Sequence, residues 1–322
     1  MKNIFFILIV LALTSLGCKN DLDINAPYKD IPVVYGFLDQ NDTIQYIRIQ
    51  KMYQNDAHTS TSAGAQITDS LYFDTLKVVL INIAKTPFDT FHCYRVDNIP
   101  KDNGFFSPAR NTLYATKIPF NNNNNEVYSL RIFNPKSGKT YTSQATIIKD
   151  ATIEFRNVAI RNTPVNHAFA FRFISSRNAY LHDLVIRYQY KEMSKADTSQ
   201  FEIKNVDFHI AYNKTYVQSS SVSESISSRD YMAFLKTKIS PDDSKVRRTY
   251  GIIYQVYGGS KDFSELLDLS KPSLGIVQKN PEYSNISEGL GIFTSRNFKQ
   301  LNMGLDAGTL SLLASELPNF IN

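Results

Sequence analysis

Tryptophan is absent from these 322 residues, and cysteine occurs only at Cys18 and Cys93. Two cysteines cannot build a disulfide framework, so a folded body must rely on apolar packing. The five histidines, His58, His92, His167, His182 and His209, are scattered, and no two stand at the spacing of a structural zinc site. His182 and Asp183 are adjacent strand residues that point to opposite faces, so they do not act as a catalytic pair. There is no Gly-x-Ser-x-Gly elbow and no complete phosphate loop. Gly258-Gly259-Ser260-Lys261 reads instead as a strand-to-helix turn with a serine cap. Charge of one sign is also lacking: 35 Lys and Arg oppose 30 Asp and Glu, a net of +5. The one tight basic cluster, Lys245, Arg247 and Arg248, follows Asp242 and Asp243 and reads as a solvated hairpin face. These absences point away from an enzyme, a bound cofactor, a metal centre and a nucleic-acid partner.

Long apolar runs are missing too. Crossing a bilayer as a helix needs about 20 apolar residues. The longest run, Ile4 to Leu13, is half that and follows Lys2. This is the layout of a signal peptide. Thr14-Ser15-Leu16-Gly17 then lead into Cys18. A small residue before a cysteine at this distance resembles the bacterial lipobox, which implies residues 1–17 as a signal peptide and Cys18 as the lipid-attachment site. Each buried CH₂ of an acyl chain contributes about 0.8 kcal/mol, so several chains on one residue anchor a protein without a spanning helix. Residues 18–30 read as the tether, with Pro27 in it. Lys19-Asn20-Asp21-Leu22-Asp23 resembles the surface-export signal of Bacteroidota lipoproteins. The expected location is therefore the cell outer membrane, lipid-anchored and surface-exposed.

What is abundant favours strands. Tyr and Phe number 19 and 21, and turn-forming Asn and Ser are frequent. Strands are expected at Pro32 to Leu38, Thr43 to Tyr53, Leu76 to Ile83 and Phe91 to Val96. Tyr128, Leu130 and Ile132 alternate, Asn134 to Lys139 is a turn cluster, and Tyr141, Ala145 and Ile147 return as a hairpin. A Tyr-x-Leu-x-Ile strand at this place resembles the penultimate strand of immunoglobulin-like or fibronectin-type sandwiches. Beyond Lys149-Asp150 come expected strands at Ile153 to Ile160, Phe169 to Ile174, Asp183 to Lys191, Phe201 to Tyr216 and Thr249 to Tyr257. Short helices are expected at Ser228 to Lys238, Ser260 to Leu269 and Thr309 to Leu317. The fold class is mainly β. An N-terminal Ig/fibronectin-like β-sandwich domain spans 31–149, and a second mainly-β domain with a few short helices spans 150–322.

One segment is more specific. Pro281 to Arg296 contains Asn285-Ile286-Ser287-Glu288-Gly289-Leu290-Gly291-Ile292-Phe293. This motif, with the opening strand Val33 to Leu38, resembles the Bacteroidota lipoprotein family known by the domain-of-unknown-function number 4249. The resemblance implies an accessory lipoprotein beside a TonB-dependent outer-membrane transporter. Within the motif, Gly289 and Gly291 allow a bend or close backbone approach before Ile292 and Phe293 enter the core; a binding turn is the other reading. Phe105 and Phe106, beside Gly104 and Pro108, form the candidate partner interface. The expected function is a transporter subunit for docking or substrate capture. An adhesion or envelope-scaffolding lipoprotein, or a surface hydrolase, would share the anchor and the strands.

Overall fold

The computed structural model describes residues 31–52, 71–100, 111–121, 125–161, 168–271 and 283–321. The first seven strands are β1 (Pro32–Leu38), β2 (Gln45–Lys51), β3 (Lys77–Asn82), β4 (Asp89–Val96), β5 (Leu113–Thr116), β6 (Val127–Asn134) and β7 (Lys139–Thr146). They pair antiparallel in the order β1-β2-β5-β4 and β3-β6-β7. Lettered in chain order, this is the ABED and CFG arrangement of an immunoglobulin constant-type sandwich. Strand β4 joins the two layers: Asp89 to Cys93 pair with β3, and Tyr94 to Val96 pair with β5.

The alternation that marks each strand is what fills the sandwich. Val34 and Leu38 of β1 and Ile47 and Ile49 of β2 face Val78 and Leu80 of β3 across one core. Tyr128, Leu130 and Ile132 are all buried in it, so the Tyr-x-Leu-x-Ile pattern is the inner face of β6, the penultimate strand. Burying a side chain of this size contributes about 1.5–3 kcal/mol. At the rim of this unit, Lys149 forms a buried ion pair with Glu126 at 3.2 Å and also donates to the Asn121 carbonyl. Glu126 in turn accepts from the Tyr128 hydroxyl.

The second half has its own core. Strands β11 (Leu181–Ser194), β12 (Phe201–Lys214), β14 (Lys245–Gly259) and β15 (Leu290–Leu305) form an antiparallel sheet in the order β12-β11-β14-β15. A smaller sheet, β13-β10-β8, is built from β8 (Thr152–Ile153), β10 (Ala168–Ile174) and β13 (Ser221–Ser227). Helices α1 (Ser228–Lys238) and α3 (Ala307–Glu316) contribute to the same core, whereas α2 (Lys261–Leu269) buries no residue fully. The core joins Phe169, Phe171 and Phe173 of β10 to the inner faces of β11 and β14, and Phe171 stacks on Tyr254 at 4.3 Å.

The helix caps follow the chemistry of the residues. Ser227 accepts from Asp230 N–H at α1, Ser260 accepts from Phe263 N–H at α2, and Asp306 accepts from Thr309 N–H at α3. Ser260 is the cap expected from Gly258-Gly259-Ser260-Lys261, and α1 has the expected bounds.

Strand β15 connects the two halves. Its first six residues pair in parallel with β1, from Val33–Leu290 to Leu38–Ser295, and Arg296 to Met303 pair antiparallel with β14. Ile147 belongs to the first core and Ala151 to the second, and β15 contributes Phe293 to the first and Met303 to the second. Gly291 makes the parallel pairing possible. Its φ is +97°, and a Cβ there would lie 2.0 Å from the Val34 carbonyl oxygen.

Two expectations are corrected. Ile153 to Ile160 is not one strand. Thr152–Ile153 pairs with β10, whereas Asn157–Val158, strand β9, pairs in parallel with Gly304 and Leu305 at the end of β15. The segment passes from one sheet to the other, so no single ladder can hold it. The basic cluster is not wholly a solvated face either. Arg247 is buried, with Glu192 at 2.9 Å and the carbonyls of Ser240 and Pro318 as acceptors. A buried guanidinium persists only when paired and hydrogen-bonded.

Candidate functional site

Antiparallel partners place their side chains on the same face. Leu184, Ile186 and Tyr188 of β11 face inward. The odd-numbered residues therefore face out: Leu181, Asp183, Val185, Arg187 and Gln189. Their lateral partners extend this outer face across the sheet. Arg187 makes a two-pronged pair with Asp207 of β12, at 2.7 and 2.8 Å. Gln189 donates to Asn205, and Gln255 of β14 donates to Gln300 of β15. Tyr257 and Phe298 lie side by side with ring centroids 4.7 Å apart.

At one end of this face is a cavity of about 410 Å³. Tyr257 and Phe298 floor it, Leu181, Asp183 and Phe263 wall it, and Asp39, Asp42 and Arg296 form its rim. Gly259 lets Leu181 and Phe263 pack directly onto the strand, since a Cβ there would lie 2.7 Å from Leu181 and 3.0 Å from Phe263. The cavity lies where the two halves meet. Asp39 and Asp42 come from the turn after β1, Arg296 from the crossing point of β15, and Asp183 and Tyr257 from the second sheet.

The rim is held in place by a polar knot. Asp150 accepts from Gln40 Nε2, Asn41 Nδ2 and Asn297 Nδ2 at 2.6, 2.9 and 2.7 Å, and from Lys299 Nζ at 3.0 Å. Burial alone would raise the Asp150 carboxyl, but these donors outweigh it and hold it below the ordinary carboxylate value. The turn is also closed from within. Gln45 Oε1 accepts from Asp39 N–H, and Gln45 Nε2 donates to the Asp39 and Asp42 carbonyls.

The charged groups themselves are only partly satisfied. Burial pushes the Asp39 carboxyl above its ordinary value, against the Asn41 N–H that it accepts. Arg296 reaches Asp39 at 3.8 Å and Asp42 at 3.7 Å, beyond hydrogen-bond range, and its side chain is 58% exposed. Asp183 accepts from Asn213 N–H at 2.6 Å, and among the described residues no cation pairs with it. The site thus holds three carboxylates and one guanidinium around two aromatic rings, with Asp183 at one end and Arg296, beside Asp39 and Asp42, at the other.

The other sequence candidates fall elsewhere. Cys18, Phe105 and Phe106 lie outside the described residues. His182 and Asp183 do face opposite ways. His182 is fully buried, with Nε2 accepting from Ser176 N–H and its ring against Phe173 and Tyr216, whereas Asp183 lines the cavity. Burial pushes the Cys93 thiol up to about 12, so it stays protonated and unreactive at neutral pH. Among the described residues no three His, Cys, Asp or Glu side chains converge as metal ligands. No helix among them is long and apolar enough to cross a membrane.

The conspicuous motif before β15 is structural at close range. Asn285 Nδ2 donates to the Phe293 carbonyl, and Asn285 Oδ1 accepts from Phe293 N–H. Ser287 N–H donates to the Thr142 carbonyl, and Ser143 donates to the Asn285 carbonyl. The segment closes the sandwich between β15 and β7, with Ile286 and Phe293 in the first core. Sequence reading did not select Asp39, Asp42, Asp183, Tyr257, Arg296 or Phe298 as a group. The first two stand between the expected strands Pro32 to Leu38 and Thr43 to Tyr53, and only the register of β11, β14 and β15 brings the rest together.

No family model matches the chain, and no curated protein matches it. Two solved structures align over most of its length. CBD12 from CALX1.2 has 8% identity and a TM-score of 0.20, covering 84% of this chain and 99% of its own. The calcium-binding domain CBD12 of CALX1.1 also has 8% identity and a TM-score of 0.20, with coverages of 82% and 98%. At that score the likeness carries no argument about fold or function.

Proposed function

We propose that this chain is a lipid-anchored outer-membrane protein that captures a small polar ligand in the cavity between its two halves and docks on a TonB-dependent transporter as an accessory subunit. The observation that carries the capture reading is the cavity itself. It is open, of ligand size, floored by Tyr257 and Phe298 and rimmed by charges of both signs. Pockets of about 300–1,000 Å³ with an apolar base and a few placed polar groups suit reversible binding. The anchor at Cys18 and the transporter partner rest on the lipobox and on the family resemblance. Docking is assigned to the segment of Phe105 and Phe106, where adjacent aromatics suit a partner surface. Catalysis is not part of this reading.

The test is the double substitution Phe105→Ser with Phe106→Ser, followed by co-purification from detergent-solubilised outer membrane. Docking through these rings requires lost transporter association at an unchanged Tm. Normal association in the folded variant, or a large loss of stability, would overturn the docking assignment.

A further inference from the structure

We infer that the cavity at the seam binds a short peptide with free termini, two or three residues long, its ammonium group on Asp183 and its carboxylate on Arg296. The inference rests on the capture reading and names the ligand class for it. Phe298, Tyr257 and Asp183 follow one another across three neighbouring strands, and Arg296, Gly259 and Leu181 form the next row on the same face. Asp183 and Arg296 are therefore diagonal, two strands apart and two residues along. Strand spacings of about 4.8 Å and a rise of about 3.3 Å per residue place their Cα atoms roughly 12 Å apart. An extended peptide spans about 3.5 Å per residue, so two or three residues fit between the charges.

The chemistry at each end matches. Arg296 is 58% exposed, and among the described residues its ion-pair partners are Asp39 and Asp42, at 3.8 and 3.7 Å and without a hydrogen bond. A ligand carboxylate can take both prongs of its guanidinium fork at hydrogen-bond distance, which Asp39 and Asp42 do not. Asp183 has one oxygen held by Asn213 N–H and no cation partner among the described residues, which leaves it open to an ammonium. Between them Tyr257 and Phe298 form an aromatic floor for the peptide body, and Phe263 closes the side. A neutral sugar would use the floor but leave both charges unanswered.

The probe is L-alanyl-L-phenylalanine, titrated calorimetrically into the full chain in detergent, with its N-acetyl form, its C-terminal amide and maltose alongside. The free dipeptide should bind with a Kd of about 10 µM to 1 mM, and capping either terminus should weaken it about tenfold. Asp183→Asn should weaken the free dipeptide and abolish the effect of acetylation. Arg296→Gln should abolish the effect of amidation. Both side chains lie on the outer face, and unchanged melting confirms folding. Equal binding of capped and free dipeptides, no heat with any of the peptides, or binding of maltose alone would overturn the inference. Transporter co-purification involves no peptide, so a silent titration with intact co-purification removes only the ligand assignment.

Discussion

Asn285 bonds both backbone groups of Phe293 with one side-chain amide, at 2.8 and 2.9 Å. It acts as a one-residue substitute for a neighbouring strand, at the point where β15 enters the first core. Phe293 is fully buried, so its N–H and carbonyl need these partners. Asn285→Ala leaves two backbone groups without them. The expected loss is about 2–4 kcal/mol, read as a fall in Tm of about 5–10 °C. An unchanged Tm would show that the latch does not stabilise the fold.

Gly291 and Gly251 make a matched pair of tests. Gly291→Ala sets a methyl against the Val34 carbonyl at a φ of +97°. The expected cost is about 3 kcal/mol or more, because the parallel pairing of β1 with β15 must open. Gly251 has nothing within 4 Å of where its Cβ would stand. Gly251→Ala should be neutral or stabilise by up to about 1 kcal/mol. Urea unfolding of both variants reads the difference, and equal midpoints would refute the close-approach account.

These residues also show what the sequence made legible and what it did not. Period-two alternation revealed β6 and β7, and the serine cap at Ser260 marked the start of α2, because both signals are local. Strand β13, Ser-Val-Ser-Glu-Ser-Ile-Ser, has Ile226 as its only buried apolar side chain, so its pattern is weak. Strand β5 is four residues long and too short to show a period. The cavity depends on which strands are neighbours. No spacing in the chain places Asp39 near Asp183 or Arg296, since β15 brings them together only by pairing with β1 and β14.

His182 sets a pH dependence with a definite sign. Burial holds its imidazole down at about 4, against about 6.5 in the unfolded chain. A depressed value means that the stability is fully present above pH 6.5. It falls as pH drops toward about 4, because the unfolded chain takes up the proton first. The loss is at most about 3 kcal/mol. His182→Gln keeps an acceptor for Ser176 N–H but cannot titrate. Urea midpoints at pH 7.5 and pH 5 should differ less in the variant than in the parent; equal pH dependence would exclude His182 as its source.

Cys18 carries the anchor assignment. Cys18→Ala should leave the chain unprocessed or release it from the membrane fraction, because each acyl chain removed takes many buried CH₂ groups with it. Fractionation with intact-mass analysis reads both. A variant that stays in the outer membrane with the parent's mass shift would overturn the lipid anchor.

The central claim is that a tethered capture protein works on a transporter. Its most direct measurement is affinity purification of the full tagged chain from detergent-solubilised outer membrane, with the recovered partners identified by mass spectrometry. The account predicts stoichiometric recovery of a TonB-dependent outer-membrane transporter with the parent chain. Recovery of the chain alone from the outer membrane, with no such transporter in the eluate, would contradict it.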